Sequence, residues 1–134
     1  MTGENREFAL EEEFARSAED LAAARALVAA GLYRPAMTRA YYAAFHAVRA
    51  LLFAEGLEPR SHGGTQHLLN LHYIRPGRLE PRWNRVLARL QRFREEADYG
   101  GAFVLDREAL DEELLAAEAL CARARELLGR PAAR

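Results

Sequence analysis

The sequence predicts an all-α fold, an antiparallel up-down bundle of four long helices and one short helix. Three observations carry that prediction. Apolar residues recur at mixed spacings of three and four along most of the chain. Glycine and proline are sparse and fall between those periodic segments. No stretch alternates apolar and polar residues with the period of two that a half-buried strand requires.

The first helix is expected from about Glu4 to Ala30, with Leu10, Phe14, Leu21, Ala24 and Val28 on one face and Gly31 as its stop. Pro35 suits the first turn of a second helix, where a missing N–H costs nothing. Tyr41, Phe45, Val48 and Leu52 mark that helix's buried face, and Gly56 ends it. Residues 57–60 read as a loop, with Ser61 capping a short helix through about Tyr73. Arg75-Pro76-Gly77 is a turn. The next helix runs from about Pro81 to Asp98, carries Trp83, Val86, Leu90, Phe93 and Ala97 on its apolar face, and breaks at Gly100-Gly101. Asp106 caps the last helix, where Leu110, Leu114, Ala117, Cys121, Ala124 and Leu128 repeat every seven residues, the pattern of helices packed at shallow angles.

At 134 residues the chain is long enough for one core, and it reads as a single domain over 1–134 with its core at about 5–129. A hydrophobic fraction of 50% against 29% charged residues argues against disorder. No apolar run approaches the roughly 20 residues of a membrane span, and the acidic start is unlike a signal peptide, so the cytoplasm is the expected location. The one cysteine, Cys121, rules out a disulfide or a thiolate zinc site within the chain. The net charge of −1 hides a segregation: residues 1–20 sum to −5, 21–57 to +3, 58–94 to +6 and 95–126 to −7, with Arg130 and Arg134 completing the total. Every base is arginine, for which GC-rich coding is the favoured explanation over a functional one.

Several chemistries are not indicated. There is no Glu-x-x-His pair, no phosphate-binding glycine loop and no nucleophile elbow. His62, His67 and His72 are five residues apart, which on a helix points successive imidazoles about 140° apart. Neither a metal nor a cofactor is expected.

Three polar arrangements remain. Arg78, Arg82, Arg85, Arg89 and Arg92 form a ridge beside the apolar stripe of the fourth long segment. Such a row suits a phosphate backbone, but the favoured reading is a solvated face or one paired with the acidic first or last helix. Arg94 lies on the opposite flank, where partial enclosure demands an anion, either a carboxylate such as Asp98 or a ligand phosphate. Tyr99 follows at the helix end. On the second helix, Arg39, Tyr42, His46 and Arg49 step three, four and three residues along one ridge. They offer a phosphate clamp, a stacking ring and a proton carrier, although a helix or subunit interface is the favoured reading of such a ridge.

The stretch 38–52, Thr-Arg-Ala-Tyr-Tyr-Ala-Ala-Phe-His-Ala-Val-Arg-Ala-Leu-Leu, resembles the second-helix signature of HEPN domains, named for nucleotide binding in higher eukaryotes and prokaryotes. Residues 56–63 and 94–99 are similar to two further blocks of that family, in the same order, and the likeness runs from about residue 10 to 128. The resemblance implies a helical bundle that pairs as a homodimer, often beside a minimal nucleotidyltransferase with which it forms a toxin–antitoxin pair. In catalytic members an Arg, four to six residues and then a His face a cleft between subunits and cleave RNA without metal. Arg94 matches the arginine, but the histidine positions hold Tyr99, Gly100 and Gly101, and a phenol is a poor general base at neutral pH. His46 or His62 would have to supply the imidazole.

These readings converge on a homodimeric HEPN-type module that binds nucleotide or RNA and partners a nucleotidyltransferase, with weak or no nuclease activity. The candidate contacts are Arg39, Tyr42, His46, His62, Arg94 and Asp98, with Arg94 and Tyr99 as the catalytic candidates. Alternatives are an active ribonuclease toxin using Arg94 and a purely structural or regulatory dimer. Some family members are modified with AMP on a tyrosine near the motif, which makes Tyr99 and Tyr42 candidate acceptors.

Overall fold

A computed structural model describes residues 2–100 and 105–131. Local sequence sets the helix ends. The α1 helix (Gly3–Ala29) starts at Thr2, whose hydroxyl accepts the Asn5 N–H. Ser61 does the same for Gly64 at the start of α3 (His62–Leu69), and Asp106 for Ala109 at the start of α5 (Arg107–Leu127). Each cap satisfies an N–H that the helix cannot satisfy itself. The α1 helix and α2 (Tyr33–Ala54) both end on a glycine in the left-handed region, Gly31 at φ +77° and Gly56 at φ +76°. The next residue folds back each time, with Leu32 N–H donating to the Leu27 carbonyl at 2.9 Å and Leu57 N–H to Leu52 at 3.0 Å.

The polar contacts fix an antiparallel arrangement of neighbours. Arg6 at the start of α1 donates to the Ala54 carbonyl at the end of α2. Arg34 at the start of α2 donates to the Ala97 carbonyl near the end of α4 (Arg82–Tyr99) at 2.9 Å. Arg89 of α4 meets Glu113 of α5 at 2.7 Å, and Glu80 just before α4 meets Arg123. The second helix is buried on nearly every face and touches α1, α3, α4 and α5. Its small residues Ala36, Ala40, Ala43, Ala44, Ala47 and Ala50 are fully buried, which lets neighbours approach closely. Among the described residues there is no strand, and no helix is long and apolar enough to cross a membrane.

Two details differ from the sequence expectation. The short helix does not continue as α-helix to Tyr73: Asn70–Ile74 forms a π-helical turn, with Arg75 N–H reaching the Asn70 carbonyl at 2.9 Å. The widened turn accompanies the burial of Tyr73, whose hydroxyl donates to the Leu51 carbonyl of α2 at 2.5 Å. On α4 the most buried residues are Leu87 and Leu90, while Val86 and Phe93 lie at the edge of the core. This helix packs against both α2 and α5, so its contact face is rotated toward the flank that carries Arg94. The glycine expected to break the chain at position 101 lies outside the described residues; Gly100, beside it, is extended and ends α4.

Candidate functional site

The two flanks of α2 use similar side chains differently. On the α1 side the ridge of Arg39, His46 and Arg49 meets carboxylates. Arg39 pairs with Asp20 at 2.8 Å. His46 Nδ1 lies 2.6 Å from Glu13 and its Nε2 lies 3.8 Å from Asp20. Arg49 pairs with the same Glu13 at 3.4 Å and donates to the Pro59 carbonyl. Glu13 is buried, which by itself pushes its carboxyl up. The hydrogen bond and charge of His46, with Arg49 and Arg16, outweigh that and hold it below the ordinary value. The interface reading of this ridge therefore holds on the α1 side. The partners could have been sought in the sequence, because Glu13, Ser17 and Asp20 step four and three residues along the edge of α1's apolar stripe.

On the α4 side the nearby acids are Asp98, Glu95 and Glu96 of α4 itself. The Arg94 side chain is only 12% exposed and its guanidinium lies over the rings of Tyr41 (5.3 Å) and Tyr42 (5.8 Å), within cation–π range. Among the described residues only Asp98, a turn along the same helix, pairs with it, at a long 3.4 Å. Asp98 also accepts a 2.8 Å hydrogen bond from Thr38. Arg94 Nε is buried without a partner. A buried guanidinium N–H left unmatched is costly, so this arginine is under-satisfied where Arg39 and Arg49 are not.

His62 completes the corner. The cap at Ser61 and the first turn of α3 bring its ring against Phe45 (4.6 Å between centroids), Tyr41 (5.6 Å) and Tyr42 (6.0 Å). Its Nδ1 lies 2.5 Å from the Tyr41 hydroxyl. Burial, offset only in part by Arg94, raises the Tyr41 phenol far above its usual range, so the phenol keeps its proton. A buried O–H must donate, and His62 Nδ1 is its partner. That donation fixes Nδ1 as the acceptor and leaves Nε2 carrying the ring N–H. Burial first, and the charge of Arg94 second, lower the His62 pKa, which keeps the ring neutral at physiological pH. The result is a guanidinium and an imidazole packed on the same two tyrosine rings. Such a corner can hold a phosphate oxygen.

The corner thus unites Arg94, Tyr42, His62 and Asp98 with Tyr41 and Phe45, two rings whose apolar spacing marks them only as core. Tyr42 is the bridge to the other flank, since it also stacks under Arg39 (5.1 Å) and beside His46 (6.2 Å). Tyr99 is 80% exposed and lines an open hollow of about 520 Å³ with Arg92, Arg94, Glu95 and Glu96. Of the basic ridge, Arg78 pairs with Glu55 at 2.6 Å and Arg89 with Glu113. No carboxylate pairs with Arg82, Arg85 or Arg92 among the described residues.

These features define a class: an all-α bundle whose central helix, with its Arg-x-x-Tyr-x-x-x-His ridge, presents tyrosines to an arginine from the following long helix. The sequence profile of the HEPN domain matches residues 10–128, and the chain belongs to that family. A Methanocaldococcus jannaschii protein named "Putative toxin MJ0605" is 38% identical over 81 residues, covering 60% of each chain. A Gloeobacter violaceus protein named UPF0332 protein glr0978 is 40% identical over 87 residues, 65% of this chain and 69% of that one. A UPF0332 protein of Thermotoga maritima is 29% identical over 103 residues, 77% of this chain and 78% of its own. The aligned stretch spans three-fifths of the length of the first of these relatives.

Proposed function

We propose that the chain is a single-domain, homodimeric HEPN module acting in the cytoplasm, which binds the phosphate of a nucleotide or an RNA. In this reading it partners a minimal nucleotidyltransferase in a toxin–antitoxin-like pair and has weak or no nuclease activity. The observation that carries the binding half is Arg94, enclosed over two tyrosines with a buried Nε that no protein atom matches. A phosphate oxygen supplies the missing acceptor, and His62 Nε2 supplies a second donor. The toxin half is supported by the family and by relatives that carry the word toxin in their names. Tyr99, exposed at the helix end, is the better-placed acceptor if the partner transfers AMP, and intact mass after incubation with the partner and ATP reads that out directly.

One observation favours the second reading, an active ribonuclease toxin: an imidazole does stand beside Arg94, contributed by His62. The tautomer argues the other way, because a ring whose Nε2 already holds a proton donates and does not accept. The test is RNA cleavage in EDTA by the wild-type protein, Arg94→Ala and His62→Ala, alongside RNA retention by each. The binding reading expects no cleavage and a tenfold or greater loss of retention in Arg94→Ala. Cleavage that vanishes in both variants would make the ribonuclease reading the correct one. Full retention in both variants would leave a structural dimer.

A further inference from the structure

The outer side of α4 carries an arrangement that extends beyond the Arg94 corner. Three open hollows run along it and share residues at their junctions. The hollow at Arg94 and Tyr99 meets a second of about 500 Å³ at Arg92, and that one meets a third of about 340 Å³ at Arg85 and Ala88. The middle hollow is lined by Arg82, Arg85, Arg89 and Arg92. Glu113 holds Arg89, whereas Arg82, Arg85 and Arg92 are exposed and have no carboxylate partner among the described residues. From Arg82 to Arg92 the helix rises about 15 Å.

The third hollow has different chemistry. Gln66, Asn70 and Asn84 line it beside Arg85, so amides stand next to a guanidinium. Asn84 Nδ2 gives a long 3.4 Å hydrogen bond to the Gln66 carbonyl, and Asn84 Oδ1 is buried without any partner. The α4 helix also starts without a side-chain cap, leaving N–H groups of its first turn unmatched at the same end.

We infer that the outer face of α4 is a track for single-stranded RNA, with Arg82, Arg85 and Arg92 on its phosphates and the Gln66–Asn70–Asn84 hollow holding one base. A stepped row of guanidiniums matches a repeating phosphate chain. An asparagine with an unmatched acceptor matches a base edge bearing an exocyclic amine, such as that of adenine. Uracil has no such amine. The inference rests on the RNA side of the reading above and uses none of the residues of its Arg94 corner.

Fluorescence anisotropy with labelled oligoadenylate and oligouridylate of about 12 nucleotides tests it across a series of salt concentrations. The wild type is expected to prefer oligoadenylate. In the triple variant Arg82→Gln, Arg85→Gln, Arg92→Gln, the slope of log affinity against log salt is expected to fall by about 2, at about 0.7 per lost phosphate contact. Asn84→Leu is expected to keep the slope and lose the base preference. Circular dichroism confirms that each variant folds. Wild-type affinity and slope in the triple variant would overturn the track. So would RNA-independent capture of a short polyglutamate peptide by the same arginines, which would make the ridge a docking face for an acidic protein. Arg94→Ala separates the two claims: loss in that variant with none in the triple sinks the track alone, and the converse sinks the Arg94 corner alone.

Discussion

On the α1 flank of α2, Arg39, His46 and Arg49 share two carboxylates, and Asp20 and Glu13 match each of them. On the α4 flank, Arg94 and His62 face rings instead, and a single long ion pair to Asp98 leaves Nε bare. Arginine, tyrosine and histidine occur on both flanks at helical spacing, so residue type does not tell the two apart. What separates them is the supply of acceptors. Where the protein provides enough carboxylate oxygens, the cations are part of the structure; where it withholds them, a ligand anion has something to complete.

The largest effect that sharpens this contrast is on stability. Glu13→Ala removes the acceptor that His46 and Arg49 share and should cost about 2–3 kcal/mol by urea unfolding. That is below the cost of breaking a fully buried pair, because both partners keep some exposure. Ligand affinity per folded molecule should not change. Arg94→Ala should do the reverse: it should cost less than about 1 kcal/mol of stability, because it deletes an orphaned group, while phosphate-ligand affinity falls tenfold or more.

The next effect is in the pH dependence. His62 has a pKa below the ordinary 6.5 in the folded state, so the unfolded chain binds more protons just below pH 6.5. Stability is therefore complete above 6.5 and is lost as pH falls from there through the folded value. Glu13, also depressed, adds a second loss below the ordinary 4.5. His62→Gln should remove the upper loss and leave the lower one, which denaturant midpoints from about pH 3 to about pH 8 would reveal. The smallest effect belongs to Tyr99→Phe. With the ring 80% exposed and no hydrogen bond to its hydroxyl among the described residues, unfolding should shift by less than about 0.5 kcal/mol.

Much of the fold is legible in the sequence because helix faces are local. Leu10, Phe14 and Leu21, or Leu110, Ala117 and Cys121, declare their shared face through spacing alone, and Thr38 to Leu52 carry a family signature. Gly31, Gly56, Ser61 and Asp106 mark helix ends by backbone chemistry that needs no tertiary knowledge. The site is less legible because it depends on pairs far apart in the chain. The enclosure of Arg94 follows from its flank of the apolar stripe, but Tyr41 lies on another helix, and the approach of His62 depends on the loop and cap before α3. The ridge of Arg39, Tyr42 and His46 is visible at once; that α1 supplies acceptors to Arg39 and His46 is not, since Glu13 and Asp20 sit in an acidic stretch like many solvated helix faces. The π turn at Asn70–Ile74 leaves no mark in the apolar periodicity.

The central claim is that Arg94, and not Arg39 of the α1 flank, receives a ligand phosphate. Isothermal titration of AMP and of a short single-stranded RNA into the wild type, Arg94→Ala and Arg39→Ala tests it most directly. The account predicts a tenfold or greater loss of affinity for Arg94→Ala and a change within about twofold for Arg39→Ala, whose partner Asp20 already satisfies it. Equal losses in both variants, or a loss confined to Arg39→Ala, would contradict it.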